Sequence, residues 1–213
     1  MKFNTTNRNR SGSILKSLML ILLILMPTFL MAQSKPTDTS KKENDLMTQL
    51  LDFSRPGENH AILGLLSGTW AFQDAKLSFV KGTLVRKPIY NGRFYSVEIT
   101  GGKLKVPVAD GQMKEELYQG MQIEGYDNPA KKYVAVSINN HIGSDIQEQT
   151  GIYDAAKKEF TYTWQDELLP GEKVENKRIL KIIDKSHYIE EYYELQDGKD
   201  VKVRELDYTK TGD

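Results

Sequence analysis

"PGENHAILGLLSGTWAF", residues 56–72, is the stretch on which the fold turns. Ala61, Ile62, Leu65 and Leu66 recur at helical spacing, which predicts a short helix over residues 58–66 with those side chains on one face. That helix runs directly into Gly68-Thr69-Trp70, and from Thr69 onward the apolar period changes from helical to alternating. About ten strand-like runs follow, rich in Tyr, Val, Ile and Thr. Turn chemistry separates them, including Asn91-Gly92, Asp127-Asn128-Pro129, Pro170-Gly171 and Asp197-Gly198. Tight turns make strands that are neighbours in sequence neighbours in the sheet. A meander of this many strands must also hide its two edges, and closure into a barrel does so. The expected fold is all-β: a closed, antiparallel, up-and-down barrel preceded by short helices.

Upstream of this stretch the chain reads differently. Lys2, Arg8, Arg10 and Lys16 form a basic start without an acidic residue, residues 18–26 are an unbroken apolar run, and Pro27 and Ala32 follow. This is the layout of a signal peptide over residues 1–32, cleaved near Ala32, and it predicts an exported protein, periplasmic or secreted. The competing reading is an uncleaved anchor, but the apolar run is short against the roughly 20 residues a bilayer span needs. After cleavage no membrane span is expected. Residues 33–45 are polar and are expected to form a disordered linker. Leu46, Met47, Leu50, Leu51 and Phe53 suggest another amphipathic helix, which opens a single domain over residues 46–213.

Composition excludes several functions. The chain has 29 basic and 29 acidic residues, and the leader holds four of the basic ones, so the mature chain has a net charge of −4. A clustered positive face for nucleic acid is not expected. There is no cysteine, which removes thiol nucleophiles, thiolate metal sites and disulfides together. His60, His141 and His187 show no ligand-pair spacing, so neither a metal nor another cofactor is expected. His60 reads as a capping or packing residue. Ser-His-Asp chemistry lacks a nucleophile elbow.

Two sets of residues remain of interest. Tyr90, Tyr95, Tyr162, Tyr188, Tyr192 and Tyr193, with Trp164, would line an amphipathic cavity where they point inward. In "EEYYE", Glu190 and Glu194 share one face, so a carboxylate can enter the barrel. Asn139, Asn140, His141, Ser144 and Asp145 form a polar cluster that reads as a solvated hairpin or as a ligand-orienting rim. Tyr95, Asn140, His141, Trp164 and Glu190 are the candidate ligand-lining residues. The segment "GGKLKVPVADGQMKEELYQG", residues 101–120, breaks the strand spacing and is expected to be a longer loop or lid over the mouth.

A helix leading into Gly-x-Trp, with a late Arg, resembles the entry to lipocalin-like barrels, the calycins. That resemblance implies that Gly68 and Trp70 plug one barrel end and that Arg204 of "VKVRELDY" packs across the Trp70 ring. Four segments together also resemble the bacterial domain of unknown function 1579 family: "PGENHAILGLLSGTW", "GRFYSVEITG", "EGYDNPAKKYVAVSINNHIGSDIQEQTGIYDAAKKEFTYT" and "VKVRELDYTK". The likeness spans residues 56–210. The chain departs from it at Ser137-Ile138-Asn139-Asn140, where members carry an aromatic and an acidic residue before the Asn. The likeness implies a barrel and no chemistry. The expected function is a non-catalytic barrel holding a small apolar or amphipathic molecule, with the mouth opposite Trp70. The alternatives are an enzyme with an internal carboxylate or histidine as general base, and a filled barrel acting as a protein-interaction module.

Overall fold

The structure, a computed structural model, describes residues 38–108 and 110–213, with side chains from residue 41 onward. The expected signal peptide and the first part of the expected linker lie outside these residues. Residues 42–213 form one compact unit.

Helix α1 (Asp38–Ser54) starts earlier than the apolar spacing indicates, within the stretch expected to be disordered. Its Lys, Glu, Leu and Met residues are good helix formers even where they have nothing apolar to bury. The helix stops just before Pro56, which disfavours helical geometry in its predecessor. Leu46, Met47, Leu50, Leu51 and Phe53 all remain exposed. The end of α1 is held from outside: Asn128 Nδ2 donates to the carbonyls of Phe53 (2.7 Å) and Arg55 (3.1 Å).

Helix α2 (Glu58–Gly64) is capped by its own histidine. His60 Nδ1 accepts the Gly57 N–H at 3.0 Å, and Glu58 places a carboxylate in the first turn. The buried face is His60, Leu63 and Leu66, whereas Leu65, expected on that face, is 60% exposed. The helix unwinds through i→i+3 bonds at Leu65, Leu66 and Ser67, and this tightening rotates Leu66 inward.

Gly68 explains the helix-to-strand junction. Its φ of +124° is open only to glycine, and a Cβ there would lie 2.5 Å from Lys210 Cε and 2.6 Å from the Gly212 carbonyl. Ten antiparallel strands follow: β1 (Gly68–Asp74), β2 (Lys81–Ile89), β3 (Phe94–Pro107), β4 (Met113–Asp127), β5 (Lys132–Asn139), β6 (Gln147–Asp154), β7 (Glu159–Leu169), β8 (Glu172–Ile182), β9 (His187–Gln196) and β10 (Lys199–Gly212). Each pairs with its neighbours in sequence, and β1 closes on β10 through Trp70↔Lys210, Phe72↔Tyr208 and Asp74↔Leu206. The turns behave as their residues dictate: Asp197 and Gly198 both take positive φ, 51° and 73°, as a two-residue hairpin requires.

The expected lid is instead a long hairpin. β3 and β4 run paired from Phe94↔Gly125 to Pro107↔Met113, with one irregularity between Thr100 and Lys103. "QMKEELY" has usable helix propensity, but Leu104 and Val106 alternate on the partner strand, and Val106 is buried. Pairing therefore overrides propensity here.

The core occupies the α2 end of the barrel. Trp70 is 1% exposed, lies edge-on to Tyr188 at 4.6 Å, and donates from Nε1 to the Leu66 carbonyl at 3.0 Å. Leu63, Leu66, Tyr133, Phe160 and Tyr188 belong to the same buried cluster. The cation over the Trp70 ring is Lys210, with Nζ 5.9 Å from the centroid, in place of the expected Arg204. The register puts Lys210 directly opposite Trp70, whereas Arg204 is six residues further toward the other end of β10.

Candidate functional site

Inside the barrel, alternation brings four charged side chains into the core. Arg86 follows Leu84 on the inner face of β2, and Glu124 lies inward on β4; both are at most 2% exposed. Arg86 Nε and Nη2 grip the two Glu124 oxygens at 3.0 and 3.2 Å, a two-point pairing of guanidinium and carboxylate. Arg86 Nη1 donates at 3.3 Å to the same Leu66 carbonyl that Trp70 uses. A second pair, Arg178 on β8 and Glu190 on β9, is equally buried and meets at a single 3.4 Å contact. Burial works against the charge on both arginines, and the facing carboxylates more than offset it, so both guanidinium pKa values move upward. Arg178 also lies over the Tyr162 ring at 4.6 Å.

Tyrosine hydroxyls close this layer. Tyr192 and Tyr208 donate to Glu190 Oε2 at 2.7 and 3.1 Å. Burial first, and then the Glu190 charge, push both phenols above their ordinary range, so they remain donors.

Above that floor is a cavity of about 670 Å³ at the end opposite α2. Phe72, Ile99 and Leu206 supply apolar wall, Tyr192 and Tyr208 the floor, and Trp164, Gln122, Ser137, Gln147 and Gln149 a more polar side. At the mouth, Arg204 stands 3.8 Å from Asp74, half exposed. Asp74 in turn accepts the backbone N–H groups of Lys76 (2.7 Å) and Leu77 (2.8 Å), which fixes the loop after β1.

The polar side is directional. Asp166 accepts from Gln147 Nε2 and Asn176 Nδ2, both at 3.0 Å. Gln147 therefore turns its carbonyl the other way, toward Ser137 Oγ (3.3 Å) and Gln149 Nε2 (2.7 Å). Gln149 is 2% exposed, and its oxygen, Oε1, has no partner among the described residues. Trp164 Nε1 is likewise buried and unpartnered. Such atoms are costly unless something meets them.

Of the five candidate lining residues, His141 and Trp164 line this cavity. Tyr95 lies at the far end, where its hydroxyl donates to the His60 carbonyl at 2.9 Å. Glu190 lies under the floor, bonded as above. Asn140, just past the end of β5, is tied to the middle of β4: it accepts the Gln119 N–H (2.8 Å) and donates to the Leu117 carbonyl (2.9 Å). Asn140 thus fits the hairpin reading of the polar cluster, whereas Asn139 and His141 of the same cluster line the cavity. Of the tyrosines, Tyr90 is exposed and Tyr193 bonds to Glu191, so neither faces the interior. Gln147, Gln149, Arg86 and Arg178 were not singled out from sequence. The usable signal was parity, since Arg86 shares its face with Leu84, and Arg178 with Leu180.

Among the described residues, no cluster of three or more His, Asp or Glu side chains has the geometry to hold a metal ion. No described helix is long and apolar enough to cross a membrane.

A closed antiparallel barrel with a helix-plugged base and a cavity at the other end defines the class of protein. The family model described as "Protein of unknown function (DUF1579)" matches residues 55–210, and the chain belongs to that family. No curated protein shows significant similarity to it.

Proposed function

We propose that the protein is a non-catalytic carrier that holds one small apolar or amphipathic molecule in the cavity beneath Arg204. The observation that carries this reading is the cavity itself. Its volume falls within the range of small-molecule sites, and its walls are amphipathic, with Phe72, Ile99 and Leu206 on one side and Gln122, Gln147 and Gln149 on another. The alternative of a filled barrel fits this volume poorly. General-base catalysis finds little support: Glu190 is tied by two tyrosines and an arginine, and the His141 ring sits at the mouth without a carboxylate bonded to it.

The basic start, apolar run and Ala32 of the leader support export, with a mature chain beginning near Gln33. The test is native mass spectrometry of protein purified from its own host, which also reports the mature terminus. A retained molecule of a few hundred daltons is expected. Protein that is uniformly free of ligand, and that takes up none from a lipid extract, would overturn the binding reading. An intact Met1 would overturn export.

A further inference from the structure

We propose that the cavity selects a neutral apolar molecule bearing a hydroxyl group, held between Gln149 Oε1 and Trp164 Nε1. This rests on the cavity being the binding site. The paired register of β6 and β7 ends at Thr150↔Thr163. Continued by one residue, that register sets Gln149 against Trp164, and both side chains line the cavity. Their free atoms are of opposite kind, an acceptor and a donor, and they do not bond to each other.

The acceptor cannot be exchanged for a donor by turning the amide. A carboxylate accepts and does not donate, so Asp166 commits the Gln147 NH₂, and the Gln147 oxygen then commits the NH₂ of Gln149. The cavity wall therefore offers a carbonyl oxygen from β6 and an indole N–H from β7. One hydroxyl satisfies both, giving its proton to Gln149 and accepting from Trp164. A carboxylate or an ether oxygen serves only Trp164, and a carboxylate would also sit near the acidic end of the relay. An ammonium serves only Gln149. A bridging water has the same bifunctional chemistry as the alcohol, so an alcohol replaces it without stranding either group.

The experiment is isothermal titration calorimetry of the full protein with octan-1-ol, octyl methyl ether, octanoate and octylammonium at neutral pH. Octan-1-ol is expected to bind about tenfold more tightly than each of the others, the margin of one additional satisfied hydrogen bond. In Gln149→Met the margin over the ether should fall to about one with ether affinity little changed, and in Trp164→Phe the margin over octylammonium should fall to about one with ammonium affinity little changed. Another member of the series binding as tightly as the alcohol would overturn the proposal and leave the carrier reading standing. So would a margin over the ether that survives Gln149→Met, or one over octylammonium that survives Trp164→Phe. If none of the four binds, the carrier reading falls with it. The comparison on the unaltered protein decides the matter even if a variant fails to fold.

Discussion

Replacing Glu124 by Leu should be among the most damaging single changes in the barrel, and replacing Arg86 as well should repair most of the harm. The interior pairs two arginines with two glutamates, each charge facing its opposite. Glu124→Leu leaves Arg86, 1% exposed, without its carboxylate and with only the Leu66 carbonyl to meet five N–H groups. Breaking a buried ion pair from one side costs roughly 3–5 kcal/mol. For a domain of this size that is a fall in Tm of about 6–20 °C. In Arg86→Met/Glu124→Leu both charges are gone, and the Leu66 carbonyl still receives the Trp70 indole N–H. Exchanging such a pair for apolar residues of similar volume is often neutral, so the double variant should lie within about 2 kcal/mol of the unaltered protein. Urea unfolding followed by circular dichroism, with m-values compared to confirm one transition, gives the four stabilities of the cycle. A Glu124→Leu cost below about 1 kcal/mol, or a double variant no more stable than the single one, would refute the claim that these charges act as one desolvated unit.

Two further outcomes follow from the geometry. Trp70→Ala should cost about 3–5 kcal/mol in the same assay, and Trp70→Phe clearly less, because Arg86 still satisfies the Leu66 carbonyl; equal losses would mean that the indole is not the plug. On the outer wall, burial opposes ionisation of Glu191, but bonds from Lys181, Lys202 and Tyr193 more than offset it and hold the carboxyl at about 2, against an ordinary 4.5. A folded-state pKa below the unfolded one gives stability that is present above pH 4.5 and lost as pH falls toward 2, on the order of 3 kcal/mol in all. The stability gap between the unaltered protein and Glu191→Gln should therefore shrink between pH 6 and pH 3; a gap independent of pH would contradict this.

Strand number, order and closure were legible from the turns, because Asn-Gly, Asp-Gly and Pro-Gly pairs have few other uses between alternating runs. The expected burial of Trp70 came from the likeness of Gly68-Thr69-Trp70 to the entry of lipocalin-like barrels, and the structure buries it. What escaped was anything set by register across strands distant in sequence. Arg204 and Lys210 lie on the same strand, and only the β1–β10 pairing decides which one meets Trp70. The hairpin of β3 and β4 was hidden because "QMKEELY" carries helix formers whose strand character comes from the partner's alternation. The interior ion pairs were hidden for a related reason: an arginine among alternating residues looks like surface until the parity of its strand is tied to a known inward residue. Gln149 was the least visible, since its free oxygen follows from a chain of bonds that begins at Asp166, on another strand.

The seam between β1 and β10 carries a consequence for how the molecule comes into being. Thr211 Oγ1 reaches the Thr69 carbonyl across 142 residues of chain. Strands β1 to β9 can pair with their sequence neighbours before β10 reaches β1, so until the seam closes the sheet is open and its β1 edge has no mate on one side. Every intermediate of this kind exposes backbone that pairs readily with another unclosed copy. The cost of closing so long a loop is met only once β10 docks. A chain ending before Leu206 would have nothing to close the wall against Phe72 and Asp74, and association between such chains is its most accessible fate.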